Sequence, residues 1–503
     1  MTESLATNRQ AQAVTSSPEV IACSSNYVAW AKAIGWSMIA TGCLVLAYLP
    51  NQYAGFLCVP YLYALVQLAR ADTWRKAFYA GLATGLAAGA SRLGFFWTIF
   101  GPGALALWTV YAMWIGLFVL MVRTCLNMSW PARFYVKPIC APDRHAWCVY
   151  LLIPCLWCGF EYFRSELYYL KFSWLNIGFG FGLNPSAVPL HLLGGYGVGF
   201  LAAALACLAA LPWKGASAYS LGALILGMVL LRGFSLLGQE ARENSAVTPV
   251  KVAGAQMEFP TETEVIAKLN ELKRTFPEVE LLVLSEYTFM EPIPRRVLDW
   301  CRQHKRYLIV GGESPAPEKN YFDTAFVVSP EGQIVFSQAK SVPIQFFKDG
   351  LPAPEQKLWA SPWGKIGICV CYDLSYSRVT DRLVRMGAQA LVVPTMDVVD
   401  WGKSQHEMHA RVAPVRASEY GIPVLRIASS GISQLVDERG RVQAAAPCPG
   451  EGATVSGILK LHQTGRLPLD RWLAPFCTAV TAMVILTSIW FHFRSRFGRQ
   501  YIA

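Results

Sequence analysis

Three residues in the second half of the chain have the types that acyl chemistry needs, and each follows a short apolar run. The run 281–285 leads to Glu286, the strand expected after the Glu331-Gly332 turn leads to Lys340, and 367–370 leads to Cys371-Tyr372-Asp373. A thiol attacks as thiolate, so a carboxylate beside it can take the proton. A cation nearby lowers the thiol pKa and stabilises the oxyanion of a tetrahedral intermediate. Taken singly the three are ordinary: a strand-end Glu is usually a solvated rim residue, a lone Lys a surface residue, and a Cys in an apolar strand a core residue. Spacing alone does not bring them together.

Such residues need a rigid scaffold. β-Rich runs at 250–255, 281–285, 307–311, 324–328, 367–370, 390–394 and 423–427 alternate with amphipathic stretches at 262–275, 295–303, 378–386 and 407–419. This alternation predicts an α/β sheet with helices packed on it and reactive side chains at strand ends.

The first half obeys different rules. Over all 503 residues, 54% hydrophobic and 15% charged with a mean hydropathy of +0.33 exclude a single water-soluble globule. Apolar runs at 30–49, 53–69, 77–100, 103–126, 147–163, 186–212, 218–237 and 473–493 each approach the length that crosses a bilayer as a helix, giving eight expected spans. Pro60 and Pro154 make the second and fifth the weakest of these. The first 29 residues are polar, without the apolar core of a cleavable signal, so the first span is expected to stay as an anchor.

Loop charges give an orientation. Arg70, Arg75, Lys76, Arg123, Arg133, Lys137, Arg144, Lys214, Arg494, Arg496 and Arg499 fall in loops on one side, and the positive-inside rule makes that side cytoplasmic. The expected organisation is a polar cytoplasmic segment 1–29, a seven-span region 30–237, an outward α/β unit 238–472, and a final helix with a basic tail, 473–503. The net charge of +11 (44 basic minus 33 acidic) is then a topology and lipid-headgroup signal, and no nucleic-acid partner is expected. Fourteen cysteines are too dilute for a disulfide scaffold.

Glu286, Lys340 and Cys371-Tyr372-Asp373, with Asn320-Tyr321-Phe322-Asp323-Thr324-Ala325 and Ser329-Pro330-Glu331-Gly332 between them, resemble the nitrilase (carbon-nitrogen hydrolase) superfamily. Joined to the apolar spans, the chain resembles one family within it, the apolipoprotein N-acyltransferases. Glu161-x-x-Arg164, 172–178 with Trp174, Gly194-Gly195-Tyr196-Gly197-Val198, Gln405-His406, 416–419, Arg426 and 430–433 are similar to that family's signatures. The resemblance implies a multi-pass helical bundle joined to an αββα sandwich in a bacterial inner membrane, with a periplasmic catalytic domain. It also implies a cysteine thioester formed from a phospholipid acyl donor and resolved by the α-amine of a diacylglyceryl-cysteine lipoprotein N-terminus, without a metal or other cofactor. Cys371 would be the nucleophile, Glu286 the base, and Lys340 with the Tyr372 N–H the oxyanion stabiliser. Trp174, Asp373, Gln345, His406 and Glu313 are the expected substrate-binding or supporting residues. Two departures stand out: Gln345 lies in a run where the family carries a glutamate, with no acid until Asp349, and Asp373 stands where the family usually has Glu. A membrane-tethered amidase with the same triad is the alternative.

Other pairs read as packing. Cys369 would share a strand face with Cys371 but belongs to the core; Cys155-x-x-Cys158 lies in an apolar span. His406 and His409 lack metal-site spacing, which leaves a capping or supporting role. Glu313 is either a second pocket carboxylate or part of a rim.

Overall fold

Strands that are apolar on both faces must be covered on both, and the apolar runs of the second half meet that demand by forming two sheets. The computed structural model describes residues 18–127, 144–210 and 247–500. One sheet holds, in spatial order, β12 (Thr454–Leu461), β1 (Thr248–Ala255), β2 (Leu281–Val283), β3 (Tyr307–Pro315), β4 (Tyr321–Val328) and β5 (Ile334–Ala339). The other holds β11 (Val442–Ala446), β10 (Ser433–Val436), β9 (Val424–Ala428), β8 (Ala390–Thr395), β7 (Gly364–Ile368) and β6 (Leu358–Ser361). The central strands β1-β2-β3 and β7-β8-β9 run parallel.

Between the sheets, Val252, Leu281, Val283 and Ile309 meet Ile366, Ile368, Val392 and Leu425. On the far side of the first sheet, Ala253, Leu282 and Leu308 pack against Val265 and Leu269 of helix Glu262–Thr275 and Trp300 of helix Arg295–His304. A reciprocal capping box between Thr261 and Glu264 starts the first of these helices at the expected place. The result is the anticipated αββα sandwich; β5 is the strand expected between the Glu331-Gly332 turn and Lys340, and among the described residues β6, β10, β11 and β12 are further strands.

The single helix expected over 407–419 is two, Lys403–Ala410 and Val412–Tyr420. Pro414 lacks the N–H needed to carry one hydrogen-bond ladder across the junction. The Arg411 side chain at that break donates to the carbonyls of Gly180, Tyr48 and Leu49 at 3.2, 2.9 and 2.8 Å.

The described residues of the first half are mostly helical, and among the described residues of the whole chain four stretches are long and apolar enough to cross a membrane: Ala29–Ala47, Gly103–Asn127, Leu190–Ala210 and Asp470–Arg494. Helices Trp74–Arg92 and Arg144–Tyr162 accompany them. The run 53–69 is a shorter helix, Cys58–Leu68, entered through a 3-10 turn, with Pro60 in its first turn where a missing N–H costs no hydrogen bond. The run 77–100 breaks after Arg92, and Phe95–Phe100 forms its own short helix. The expected span 218–237 lies outside the described residues.

The helices share two ends. At one, Arg70 donates to the Tyr150 hydroxyl at 2.7 Å and the Ala210 carbonyl at 2.6 Å, and Arg123 donates to the carbonyls of Ala71 and, at 2.6 Å, Asp72. At the other they join the sandwich, where the apolar core runs without interruption from Tyr48 and Phe179 through Tyr420 to Leu391. The helical layer of the second sheet is therefore roofed by the membrane helices rather than by water.

Candidate active site

Glu286 follows β2, Lys340 ends β5 and Cys371 follows β7, and the three side chains converge between the sheets. The Glu286 backbone fits because its neighbour on β3 is Gly311: a Cβ there would fall 2.6 Å from the Glu286 Cα. The Lys340 side chain is fully buried, its Nζ 2.7 Å from Glu286 Oε1, 2.8 Å from Asp349 Oδ2 and 3.5 Å from Asp323 Oδ2. One oxygen of each carboxylate lies within 4.8 Å of the others, a cluster with the donor set of a cation site. The cation it holds is the lysine ammonium.

Burial and charge set the protonation states. Burial opposes a charged Lys340, but Glu286 and Asp349 outweigh it and raise its pKa well above the ordinary value. Burial likewise opposes a charged Glu286, and the ammonium outweighs it, so Glu286 stays ionised. Asp323 goes the other way: burial, then the adjacent Glu286 charge, push it well up and keep it protonated. The Cys371 thiol is raised by burial and then by Glu286, so it rests as a thiol beside an ionised base. The two are within hydrogen-bonding reach, the Met396 N–H donates to Glu286 Oε2 at 2.5 Å, and the Met396 carbonyl lies 3.7 Å from Cys371 Sγ.

Cys371 departs from the regular strand geometry that would have aligned it with Cys369. Its φ is +50°, a left-handed conformation rare for a side chain with a Cβ and typical of strained functional turns. Cys369 packs toward the helices, as expected, whereas Cys371 turns to the interior shared by the two sheets. Asp373 fixes this turn to the lysine loop: its carboxylate accepts the N–H groups of Ser341 (3.0 Å), Val342 (2.7 Å) and Val370 (3.3 Å). Burial pushes the Asp373 pKa up to about 6 against those donors.

From the thiol a cleft opens between the sandwich and the membrane helices. Its walls are Phe95, Phe96, Phe100, Phe172 and Trp174 on one side and Phe346, Phe347, Tyr372 and Trp401 on the other. Trp174 stacks on Tyr372 with centroids 5.8 Å apart, and the Ser173 hydroxyl donates to the Tyr372 oxygen at 3.1 Å. Gln345 also lines the cleft and ties the lysine loop to the helical region by donating to the Tyr169 carbonyl at 2.6 Å.

The helical and sandwich regions each match a known family. The profile of the apolipoprotein N-acyltransferase N-terminal domain matches residues 40–208, and that of carbon-nitrogen hydrolases matches 274–467. An apolipoprotein N-acyltransferase of Geobacter metallireducens is 26% identical over 77% of this chain and 82% of its own length. One from Shewanella oneidensis is 21% identical over 69% and 73%. Over most of its length the chain is similar to the apolipoprotein N-acyltransferases. Among solved structures, Saccharomyces cerevisiae Nit3, of the nitrilase superfamily, is similar at 19% identity over 42% of this chain and 90% of its own, with a TM-score of 0.36.

Set against the family resemblance, Glu286, Lys340, Cys371, Tyr372, Trp174 and Gln345 all reach the cleft or the ion cluster behind it, whereas Asp373 holds the backbone of the Cys371 turn and the lysine loop. Glu313 does not: it makes no ion pair with Lys340, and the carboxylates there are Asp349 and Asp323. His406 also points away, its Nε2 against the Val398 carbonyl at 3.0 Å, while Gln405 and His409 line the cleft. Arg164 is buried beneath Tyr111, 5.1 Å from the ring centroid, rather than reaching for headgroups. Sequence reasoning gave Asp323, Asp349 and Asp397 no place in the site and allowed His409 only a capping or supporting role. Only His409 offered a signal, four residues after Gln405 and so on the same helix face.

Proposed function

We propose that this protein is a membrane-bound N-acyltransferase that moves an acyl chain from a phospholipid to the α-amine of a diacylglyceryl-cysteine lipoprotein through a thioester on Cys371. The observation that carries the reading is the aromatic cleft that begins at a thiol paired with an ionised carboxylate and ends against membrane helices. An acyl chain fits such walls, and a small polar amide has no use for them, so amidase activity is not favoured.

In the first half-reaction the Cys371 proton passes to Glu286 as sulfur attacks the ester carbonyl. Lys340 and the Tyr372 N–H stabilise the oxyanion, and the departing lysolipid alkoxide takes the proton from Glu286. In the second, the amine attacks the thioester carbonyl, Glu286 takes an N–H proton and returns it to the leaving sulfur. Because thiol and carboxylate rest as a neutral–anionic pair, the proton moves during attack and no standing thiolate is exposed to oxidants. Asp349 positions the lysine: besides its ion pair it accepts the Tyr287 hydroxyl at 3.0 Å and the Ile344 N–H at 2.5 Å.

The basic helix ends around Arg70 and Arg123 lie opposite the sandwich, which supports a cytoplasmic basic face and a periplasmic catalytic unit in the inner membrane. The test is to incubate purified protein with labelled phospholipid, measure the acyl adduct on Cys371 by mass, then add a diacylglyceryl peptide. Transfer to the peptide amine is expected; an adduct that only hydrolyses, or a Cys371→Ala protein that still transfers, overturns the reading.

A further inference from the structure

Resting on that reading, we infer that His409, held by Asp397, is the base that takes the first proton from the acceptor amine, ahead of Glu286. The need for a second base follows from counting protons. A free α-amine has a pKa of about 7.7–8.0, so near neutrality it arrives mostly as an ammonium. Two protons must leave nitrogen before it becomes an amide. Glu286 passes one of them to the departing Cys371 sulfur, and the ion cluster offers no outlet for the other: Lys340 is already an ammonium and Asp349 is engaged with it.

His409 is the group in the cleft built to accept that proton. It sits on helix Lys403–Ala410, buried, lining the same cleft as Cys371, with Trp174 and Tyr372 packed at ring distances of 6.1 and 6.4 Å. Its Nδ1 is 2.8 Å from Asp397 Oδ1. An ionised carboxylate only accepts, so Nδ1 carries the hydrogen and the lone pair is on Nε2. Among the described residues nothing hydrogen-bonds Nε2. Arg426 lies 3.1 Å from Nδ1 but donates to the other Asp397 oxygen, and Gln405 donates to Oδ1 at 3.0 Å, so the carboxylate is held from three sides.

The two bases are joined through two consecutive residues. Met396 contacts Glu286 with its N–H and Cys371 with its carbonyl, and Asp397 follows it in the chain. The charged and titratable groups facing the imidazole are Asp397, Arg426 and Glu286, with His406 near Asp397. Burial and Arg426 disfavour the imidazolium while Asp397 and Glu286 favour it; the balance leaves His409 neutral at rest, as a base must be.

The step balances. The ammonium gives one proton to Nε2, the freed lone pair attacks the thioester carbonyl, the C–N bond forms and the C–S bond breaks. The second nitrogen proton reaches sulfur through Glu286, and the imidazolium releases its proton to water at the cleft mouth.

The test is His409→Phe, which keeps a ring between Trp174 and Tyr372 but has no base, made in the full chain in detergent. Acylation of Cys371 by labelled phospholipid and transfer to a diacylglyceryl peptide are timed separately from pH 6.5 to 9. At pH 7, transfer is expected to fall at least about 100-fold more than acylation, the lower end of the range for loss of a general base. The excess deficit should shrink toward pH 9, where the amine is already neutral. Hydroxylamine, neutral at pH 7, should cleave the variant's thioester with no excess deficit. Equal losses in both half-reactions, or a deficit independent of pH and of acceptor charge, would show a packing role and overturn the inference. If the unaltered enzyme forms no adduct, the acyltransfer reading falls and this one with it; an adduct with undiminished transfer in the variant overturns His409's role alone.

Discussion

Replacing Glu286 by Gln tests the thiol–carboxylate pair more sharply than removing the thiol. The amide is the same size, but it offers one acceptor where the carboxylate offered two. Glu286 Oε1 faces the Lys340 ammonium at 2.7 Å and Oε2 faces the Met396 N–H at 2.5 Å, so either placement of the amide sets its NH2 against another donor. That mismatch costs about 1–3 kcal/mol of stability, and Asp349 remains to offset Lys340, so the variant should fold. The chemical loss is larger. With the base gone, the thiol, which burial alone keeps high, supplies little thiolate at pH 7, and acylation should slow by about 10²–10⁴. Hydroxide can replace the base, so the variant's rate should climb about tenfold per pH unit while the parent's stays nearly flat. The assay is the intact-mass time course of Cys371 acylation by labelled phospholipid at pH 7, 8 and 9. If E286Q acylates within about fivefold of the parent at pH 7, or if its deficit is the same at all three pH values, Glu286 is not the base.

Gly311→Ala should act at a distance from the reagents: its Cβ would meet the Glu286 Cα at 2.6 Å and the Ser285 oxygen at 2.7 Å. Displacing the base by a fraction of an ångström to an ångström should cost up to about 10² in the acylation rate with the protein still folded, and a rate near the parent's would contradict the packing. Asp373→Asn removes a carboxyl whose pKa rises from 3.8 to about 6 on burial. A raised folded-state pKa stabilises at low pH and that stability is lost as pH rises through about 6, so the parent should lose roughly 2 kcal/mol between pH 4 and 7 that the variant does not. Melting of both proteins across that range measures it; parallel curves would refute it. Glu318→Cys, on the exposed turn between β3 and β4, should react with a membrane-impermeant maleimide in spheroplasts before lysis, and labelling only after lysis would reverse the orientation.

The parts of the fold that were legible in the sequence are those where one periodicity dominates. Helix Glu262–Thr275 carries its own cap signal and a clean apolar stripe, and the central strands are continuous apolar runs, so both were found with nearly correct ends. Strand β11 was missed because its residues are largely exposed at a sheet edge. The Arg411 break was missed because the apolar pattern continues across it. The triad could be named from resemblance but not its company: Asp323 and Asp349 come from a strand and a loop whose approach to Lys340 is set by the sandwich closing. The turn at Cys371 was likewise invisible, since strand alternation puts it with Cys369 and only the positive φ puts it opposite.

A thioester in this site faces a competition that the membrane helices decide. Water and an amine attack the same carbonyl, and water is far more abundant, so aminolysis requires that water be kept from the thiol while the amine is admitted. The wall that does this belongs to neither unit alone. Phe100 from a membrane-side helix meets Phe347 from the lysine loop at 5.4 Å, Phe347 meets Trp401 at 6.3 Å, and Trp174 covers Tyr372. Behind this wall the units are joined by buried polar contacts. Glu166 Oε1 accepts the Ser377 N–H at 2.7 Å and hydroxyl at 2.6 Å, and Glu419 Oε1 accepts the Gly195 N–H at 2.6 Å. Breaking such contacts leaves buried carboxylate oxygens without their hydrogen bonds, so the joint resists opening. The carboxylate, lysine and thiol supply a thioester in any setting that keeps their geometry, whereas its fate depends on aromatic rings contributed by helices in the membrane. The proposed chemistry therefore predicts that residues at that joint, and not the proposed triad, set the ratio of transfer to hydrolysis.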